Sequence, residues 1–290
     1  MHNGCIEKCG LGILMLIAIL LFFQPALLNA ETETEAKLDS YFQFMPSRKA
    51  DAMSGKVGIM DADSEYSYEF KAFDKLPIKL SLENEYVGIE NSTEVELPAH
   101  LVGLSTGIET TLPFFNFKDT YIRFGVSPSF FSDDWDFPAS SFRIPSRVFL
   151  IYQPDPKLTF IAGVAAYPEF EYDVFPILGF IYKPNDRLSF NITPERPNIS
   201  YLLNEKVTLF AEAGTSFDEY EVAKDNLKNV VLQYREVHLG AGIKYKVNKF
   251  IQSSISEGVM FNRYLEYKDS LGKVDIKNGI YTEFRVVISI

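Results

Sequence analysis

The sequence contains few cysteine, tryptophan and histidine residues. Of 290 residues, two are cysteine, one is tryptophan and three are histidine. Both cysteines, Cys5 and Cys9, lie at the start of the chain, so the sequence after residue 30 has no cysteine and cannot be held by disulfide bonds. A chain without such covalent links must be stabilised by the surface that it buries or by a membrane.

Positive charge and long apolar runs are also scarce. The chain carries 28 Lys and Arg residues against 39 Asp and Glu residues, which gives a net charge of -11. This balance argues against a nucleic-acid partner, because such proteins present basic patches. No run of eighteen apolar residues follows Ala30, so a membrane-spanning helix is not expected there. A closed β-barrel is the remaining way for this chain to cross a membrane.

The first thirty residues have the pattern of a secretory signal peptide. Leu11 to Phe23 is an apolar run of thirteen residues, whereas a spanning helix needs roughly 20. The small residue Ala30 precedes an acidic stretch and suits a cleavage site. We therefore predict a signal peptide over residues 1–30 and one domain over residues 31–290, with a retained membrane anchor as the alternative. A lipid-modified cysteine is not expected, because Cys5 and Cys9 precede the apolar run.

A nine-residue segment occurs twice at a spacing of thirty residues. It reads YQPDPKLTF from Tyr152 to Phe160 and YKPNDRLSF from Tyr182 to Phe190. The Pro, Asp and Asn residues at its centre favour a tight turn. Apolar residues follow each turn at every second position, as in a β-strand. The repeat therefore predicts two successive β-hairpins.

Alternation of apolar and polar residues continues through most of the chain from about Glu65 onward. Val237 to Tyr245 is one example and Tyr66 to Ala72 is another. A soluble β-sandwich shows the same alternation, so this pattern alone does not identify the solvent. The predicted strands, however, are about ten to eighteen residues long, where soluble strands usually have about five or six. The chain also has 25 Phe and 16 Tyr residues, and many lie next to turns, as in an aromatic girdle.

These features predict an all-β fold, an antiparallel up-and-down transmembrane β-barrel, with a soluble periplasmic β-sandwich as the alternative. Short turns should alternate with longer connections, as in outer-membrane barrels. The tight turns are predicted near Asp74-Lys75, Asn116 to Asp119, Asp155, Asn185, Asn204-Glu205 and Asn248-Lys249. The longer connections are predicted near Asn91 to Ala99, Ser132 to Ser140, Val222 to Asn229 and Lys268 to Asn278.

The strand count follows from the alternation. Thirteen strands can be counted from Ser64 to Ile290, and an even number requires another between Ser40 and Met60. Fourteen strands are therefore predicted. The alternative is twelve, because the segments around Asn191 and Ile199 are short.

The C-terminal segment predicts the strand that closes the barrel. Phe284, Val286, Ile288 and Ile290 share one face, which we expect to meet lipid. The expected partners are therefore outer-membrane lipid and, during assembly, the barrel-insertion machinery. Substrates of that machinery usually end in an aromatic residue, and this chain ends in Ile290.

The region from Phe175 to Tyr220 resembles a family of uncharacterised outer-membrane β-barrel proteins of Gram-negative bacteria, defined only as a domain of unknown function. The resemblance is carried by FPILGFIYKPNDRLSFNITPERPNISYLLNEKVTLFAEAG, and it continues at Tyr234-Arg235 and at Gly240 and Gly242. It implies a barrel in the outer membrane. It implies no reaction and no transported solute.

Polar residues on the opposite face of the strands are predicted to point into the barrel. They are Glu69, Lys71, Lys79, Glu83, Arg123, Glu212, Glu236, His238, Lys244, Glu283 and Arg285. A lumen with charges of both signs would pass small solutes selectively. We therefore predict a pore or solute-transport channel. In the alternative, these charges pair across the lumen, and the protein is a closed structural or surface-binding barrel.

Other candidate sites are weaker. His100 and His238 are the histidines that remain after cleavage, and neither has a serine at a recognisable motif spacing, so we expect no enzyme and no cofactor. Ser132 to Pro138 contains three aspartates, which could bind Ca²⁺ or form a solvated acidic loop. Thr193 to Pro197 has two prolines around Glu195-Arg196, which predicts a rigid turn or, alternatively, a constriction or contact site.

Overall fold

The structure is a computed structural model that describes residues 35–72, 76–168, 173–194, 196–224, 227–268 and 271–290. The predicted signal peptide and the predicted turn at Asp74-Lys75 lie outside these residues. No helix in the described ranges is long and apolar enough to cross a membrane.

Strand segments dominate the described residues, and a short 3-10 helix, Ala139–Ser141, accompanies them. The segments are β1 (Glu35–Lys49), β2 (Lys56–Ala72), β3 (Leu76–Asn91), β4 (His100–Pro113), β5 (Thr120–Val126), β6 (Ser129–Ser132), β7 (Phe142–Arg143), β8 (Ser146–Asp155), β9 (Leu158–Ala166), β10 (Val174–Tyr182), β11 (Leu188–Ile192), β12 (Asn198–Asn204), β13 (Val207–Lys224), β14 (Leu227–Lys246), β15 (Ile251–Tyr267), β16 (Gly272–Ile276) and β17 (Gly279–Ser289). They form a single sheet.

Three pairs of these segments are interrupted strands. Both β5 and β6 pair with β4, and the chain between them contains Pro128. Next, β7 pairs with β6 and β8 pairs with β5, with Pro145 between β7 and β8. Both β16 and β17 pair with β15. Proline has no N–H to donate to a neighbouring strand, which explains the first two interruptions. Counted over the described residues, the wall therefore has fourteen strands, which confirms the prediction, and the alternative of twelve is wrong because β11 and β12 both belong to the wall.

The sheet closes on itself between the first and last strands. Phe42 in β1 pairs with Phe284 in β17. The Ala36 N–H donates to the Ile290 carbonyl oxygen at 2.9 Å, and the Ile290 N–H donates to the Ala36 carbonyl oxygen at 2.8 Å. Neighbouring wall strands are consecutive in the sequence and antiparallel, so the fold is the predicted up-and-down barrel. The first strand begins at Glu35, before the predicted start near Ser40, and the second begins at Lys56.

The two ends of the barrel differ as predicted. We call the end that holds Ile290 the turn end and the opposite end the loop end. The predicted tight turns within the described residues, from Asn116 to Asn248, all lie at the turn end. The predicted connection over Val222 to Asn229 is wrong, because β13 and β14 pair as far as Lys224 and Leu227. The predicted connection over Lys268 to Asn278 also contains a strand, β16. Both segments have polar sequences, but backbone pairing continues into them, as far as Lys224 and Leu227 in the first and over Gly272–Ile276 in the second.

The sequence repeat forms two neighbouring hairpins at the turn end. Tyr152 pairs with Phe160, and their stacked rings lie 6.5 Å apart between centroids. Tyr182 pairs with Phe190 in the same way, at 6.2 Å. Each copy therefore places one cross-strand aromatic pair beside its turn, which is a stabilising arrangement in antiparallel sheets.

The barrel wall has two regions of unequal height. We define the tall wall as β13–β17 together with β1–β4, and the low wall as β9–β12. In the tall wall β13, β14 and β15 have 18, 20 and 17 residues. In the low wall β9 and β10 have 9 residues each, β11 has 5 and β12 has 7.

Apolar side chains cover the outer face of the tall wall and, at the loop end, its inner face as well. Outward-facing residues such as Phe42, Leu80 and Phe284 are exposed and form an apolar belt. Inside the loop-end half, a cluster of buried side chains from both ends of the sequence packs together. Its fully buried members include Ile59, Val87, Leu101, Leu232, Leu265 and Val274. The loop-end half of the barrel interior, next to the inner face of the tall wall, is therefore filled by an apolar core.

A roof formed by residues 127–145 extends from the interrupted strands towards β13. Ser132 forms a strand bridge with Glu221, and the Ser140 hydroxyl donates to the Glu221 carboxylate. The Ala223 N–H donates to an Asp133 carboxylate oxygen at 3.1 Å. The roof thus reaches β13 across the loop end of the low wall, whose strands are shorter.

Candidate functional site

The pairing registers place all eleven polar residues that we predicted to face inward on the strand face opposite the exposed apolar belt. Glu69 pairs with Lys79, and Glu283 pairs with Ser256. Three of the acidic residues are buried: Glu212 is 5% exposed, Glu236 is 1% exposed and Glu283 is 5% exposed. The inner face thus holds charged groups well shielded from bulk water.

Several of these charges pair along the wall, between neighbouring strands. Arg285 on β17 donates two hydrogen bonds to Asp39 on β1, at 2.6 and 2.8 Å. Lys79 on β3 lies 2.7 Å from Glu65 on β2. Pairs of this kind lie along the inner face of the wall.

A second group of charges lies on β4, β5 and β8. Arg147 lies 2.9 Å from one Glu109 oxygen, and Arg123 lies 3.5 Å from the other. Arg123 also donates to the Thr111 hydroxyl at 3.0 Å. Glu109 therefore bridges two arginines that face the lumen, and the three groups together keep one positive charge.

Arg196 makes a contact that crosses the interior. It belongs to the turn between β11 and β12, and its Nε donates to Glu212 on β13 at 3.0 Å. Its Nη2 donates to Glu283 on β17 at 2.6 Å, and Ser256 on β15 donates to the other Glu212 oxygen at 3.0 Å. A guanidinium that binds two carboxylates is a strong, geometrically defined contact. The low-wall turn is thereby held to the inner face of the tall wall.

Tyr281 fills the space next to this contact. A Cβ atom on Gly240 would lie 2.1 Å from the Tyr281 hydroxyl oxygen, so the glycine on β14 makes room for that ring. His238 contacts the Tyr281 ring edge-on, with the ring centroids 5.5 Å apart. Its Nδ1 also lies 3.5 Å from Glu236. His100, the other histidine considered above, stacks on Tyr86 at the loop end.

Further towards the loop end, polar contacts cross the interior and lead into the apolar core. The Tyr220 hydroxyl on β13 donates to Glu85 on β3, and the Tyr234 hydroxyl donates to Glu236 at 2.5 Å. Arg263 lies 3.9 Å from Glu236 and 3.1 Å from the Met45 sulfur. These buried groups close the interior behind the tall wall.

A cavity of about 230 Å³ remains beneath the roof. Its lining comes from β3, β4, β13, the roof, the first residues of β8 and the loop-end part of β9. Glu83, on its margin, is exposed, so the cavity side of β3 is accessible from the lumen.

The acidic loop does not gather its aspartates around one point. Asp133 binds the Ala223 N–H, and Asp134 accepts a hydrogen bond from the Trp135 N–H at 2.7 Å. Burial raises the pKa of the Asp133 carboxyl above its usual value, in part offset by the backbone hydrogen bonds that it accepts. Among the described residues, no group of three or more His, Cys, Asp or Glu side chains is placed to hold a metal ion.

The residues predicted to close the barrel face outward. Phe284, Val286 and Ile290 are exposed, and Ile288 pairs with Leu38 of the first strand. The sequence analysis did not identify Arg196 as an inward residue, although it noted the turn that carries it. It also missed Tyr220, Tyr234 and Tyr281, whose positions on the inner face follow from the same alternation that identified Glu212 and Glu283.

Residues 78–275 match a protein family described as a domain of unknown function, DUF6268. The chain belongs to this family. The match spans the barrel from β3 to β16 and includes the region whose resemblance to an uncharacterised outer-membrane barrel family was noted above. No curated protein matches the chain.

The chain is similar to several solved structures. A Pseudomonas aeruginosa FadL homologue is 11% identical, with 88% of this chain and 90% of that chain covered at a TM-score of 0.51. An outer membrane channel from Pseudomonas putida F1 is 9% identical, with 89% and 95% covered at 0.48. A mutant of the monoaromatic hydrocarbon channel TodX is 10% identical, with 90% of each chain covered at 0.45. At these identities, the likeness to the first structure shows the fold of the DUF6268 chain and no more.

Proposed function

We propose that the protein is a small-solute channel of the bacterial outer membrane. The observation that carries this proposal is a closed fourteen-strand barrel with an apolar outer belt and a charged inner face, crossed near its middle by the side chain of one turn residue, Arg196. A barrel of this size is wide enough to hold a water-filled passage. A signal peptide over residues 1–30 and insertion by the barrel-assembly machinery belong to the same proposal.

The passage runs beside the low wall. The apolar core occupies the loop-end interior behind the tall wall, so a solute needs another path. The inner face of β11 and β12 carries Ser189, Asn191, Asn198 and Ser200, which are small or polar and partly exposed. Arg196, with its two carboxylate partners, narrows this path. Charges at a narrow point determine which ions and solutes pass.

A closed structural or surface-binding barrel is the second candidate. The buried core and the roof over the loop end favour it, because both reduce the opening at that end. In this case, the loop-end surface would make the functional contacts.

Cell fractionation tests the location. We expect the protein in the outer-membrane fraction, with a shift in gel mobility on heating, as stable barrels show. A soluble periplasmic protein would instead be released by osmotic shock, and its presence in the shock fluid would refute the membrane assignment.

Planar-bilayer recordings test the channel. The purified protein should give discrete conductance steps, and Arg196→Ser should increase their size because it removes the side chain that crosses the lumen. Arg187→Ser is the matched control, since Arg187 lies exposed in the turn between β10 and β11. A protein that inserts fully and never conducts at any voltage would favour the closed barrel.

A further inference from the structure

The cavity beneath the roof has an excess of negative charge. Its lining contains three carboxylates, those of Glu83 and Glu85 on β3 and of Asp218 on β13. Its one lining cation is Arg147, which also lies 2.9 Å from Glu109, so carboxyl groups outnumber guanidinium groups three to one in the lining. Glu85 accepts a hydrogen bond from the Tyr220 hydroxyl, which brings no positive charge to this carboxyl group. Glu85 and Asp218 are only partly exposed. Carboxylates that are partly shielded from bulk water are costly unless they are paired, so this lining favours a bound cation.

The rest of the lining suits the body of a small organic molecule. Ser105, Ser127, Ser129 and Ser146 contribute hydroxyl groups, which can accept hydrogen bonds from an ammonium group. Phe131 and Tyr167 contribute aromatic surface, which contacts methylene groups and attracts cations over the ring face. Most ligand sites in proteins combine apolar surface and a few polar groups in this way.

A metal ion fits this cavity less well than an organic cation. Ca²⁺ requires about six to eight oxygen ligands at one point. The three carboxylates come from two separate wall strands around about 230 Å³ of space, and no metal-holding group exists among the described residues. An amine with several N–H donors on an extended carbon chain can reach carboxylates that are separated in this way.

We propose that this cavity binds small aliphatic amines and that it selects them as solutes of the channel. The ammonium groups contact Glu83, Glu85 and Asp218, and the methylene groups lie against Phe131 and Tyr167. The selection of a solute rests on the proposed channel function. Binding itself does not, because it can be measured on the folded barrel in detergent without any conduction.

Calorimetric titration of the purified protein tests the proposal with putrescine as the probe. Butanediol, which has a similar length and no charge, is the ligand control. We expect saturable binding of putrescine and none of butanediol. Asp218→Asn and Glu83→Gln should each weaken putrescine binding about tenfold or more, as expected for the loss of a charge-assisted contact. Glu205→Gln, at an exposed turn, should leave binding unchanged.

Three outcomes would overturn the proposal: equal binding of butanediol, unchanged binding by both cavity variants, or displacement of putrescine by an equal concentration of Mg²⁺, which would indicate a metal site. Heat-modifiable gel mobility confirms that each variant is folded. If Asp218→Asn does not fold, Glu83→Gln decides the test, since the Glu83 side chain is exposed.

Two outcomes separate this proposal from the proposed channel. Putrescine binding by a barrel that never conducts would refute the channel and support the binding site. Conduction by a barrel that does not bind putrescine would support the channel and refute the binding site.

Discussion

The tall wall and the low wall have similar outer faces and different inner faces. Outside, both present exposed apolar residues, such as Phe284 in the tall wall and Phe180 in the low wall. Inside, the tall wall carries a buried apolar core at the loop end, while β11 and β12 of the low wall carry serine and asparagine. In the proposed membrane location, contact with lipid requires apolar side chains around the whole outer face of the barrel. The side chains that an inward-facing residue contacts depend on the lengths of the strands around it. Strand length differs between the two walls.

The largest expected difference between the walls is in the cost of shortening a leucine. Leu265→Ala removes a side chain that is 0% exposed in the core of the tall wall, and should lower the free energy of unfolding by about 2–5 kcal/mol. Leu178→Ala removes one that is 75% exposed on β10, and should change it by about 0.5 kcal/mol or less. Urea unfolding of both variants in the same detergent measures the two values. Equal losses would mean that the tall wall has no special core.

A smaller effect is expected where the tall wall holds Tyr281. Gly240→Ala forces the new methyl group against the Tyr281 hydroxyl, and should destabilise the barrel by about 1–3 kcal/mol. The double variant Gly240→Ala with Tyr281→Phe should recover part of this loss, since the clashing oxygen is gone. Thermal unfolding of the two single variants and the double variant completes the cycle. Strictly additive losses would show that Tyr281 does not lie over Gly240.

The smallest effect concerns the two repeated hairpins, β8–β9 and β10–β11, three of whose strands belong to the low wall. Phe160→Ala and Phe190→Ala each remove one ring of a stacked pair. In cycles with Tyr152→Ala and Tyr182→Ala, each pair should show a coupling of about 0.5–1.5 kcal/mol. Both values should agree, because the two hairpins have the same geometry. A coupling in one hairpin alone would mean that the repeat has two different structural roles.

Much of the wall could be predicted from the sequence because alternation directly reports which face of a strand meets lipid. The alternation placed Phe284 and Glu283 on opposite faces of the last strand. It also predicted the count of fourteen strands. It could not predict the lengths of the strands. The polar segment that begins at Val222 was expected to be a loop, but its backbone is still paired at Lys224 and Leu227.

The interior was harder to predict because its contacts join residues that are far apart in the chain. Arg196 reaches Glu283 over 87 positions, and no local pattern encodes that meeting. The core has a local signal that we did not use. On the inner face of β13, polar Glu212 and Asp218 give way to Tyr220 and Val222 towards the loop end, and this change marks the point where the interior becomes apolar.

Cysteine labelling tests most directly the claim that the lumen is closed behind the tall wall and open along the low wall. The chain beyond residue 30 has no cysteine, so in a protein prepared from residue 31 onward each introduced thiol gives an unambiguous signal. In barrels reconstituted in lipid, a water-soluble maleimide should react with Ser189→Cys and Ser200→Cys of the low wall. It should not react with Val87→Cys or Val274→Cys, whose native side chains are 0% exposed. Equal reaction at all four positions, or reaction at the two valine positions alone, would contradict the account.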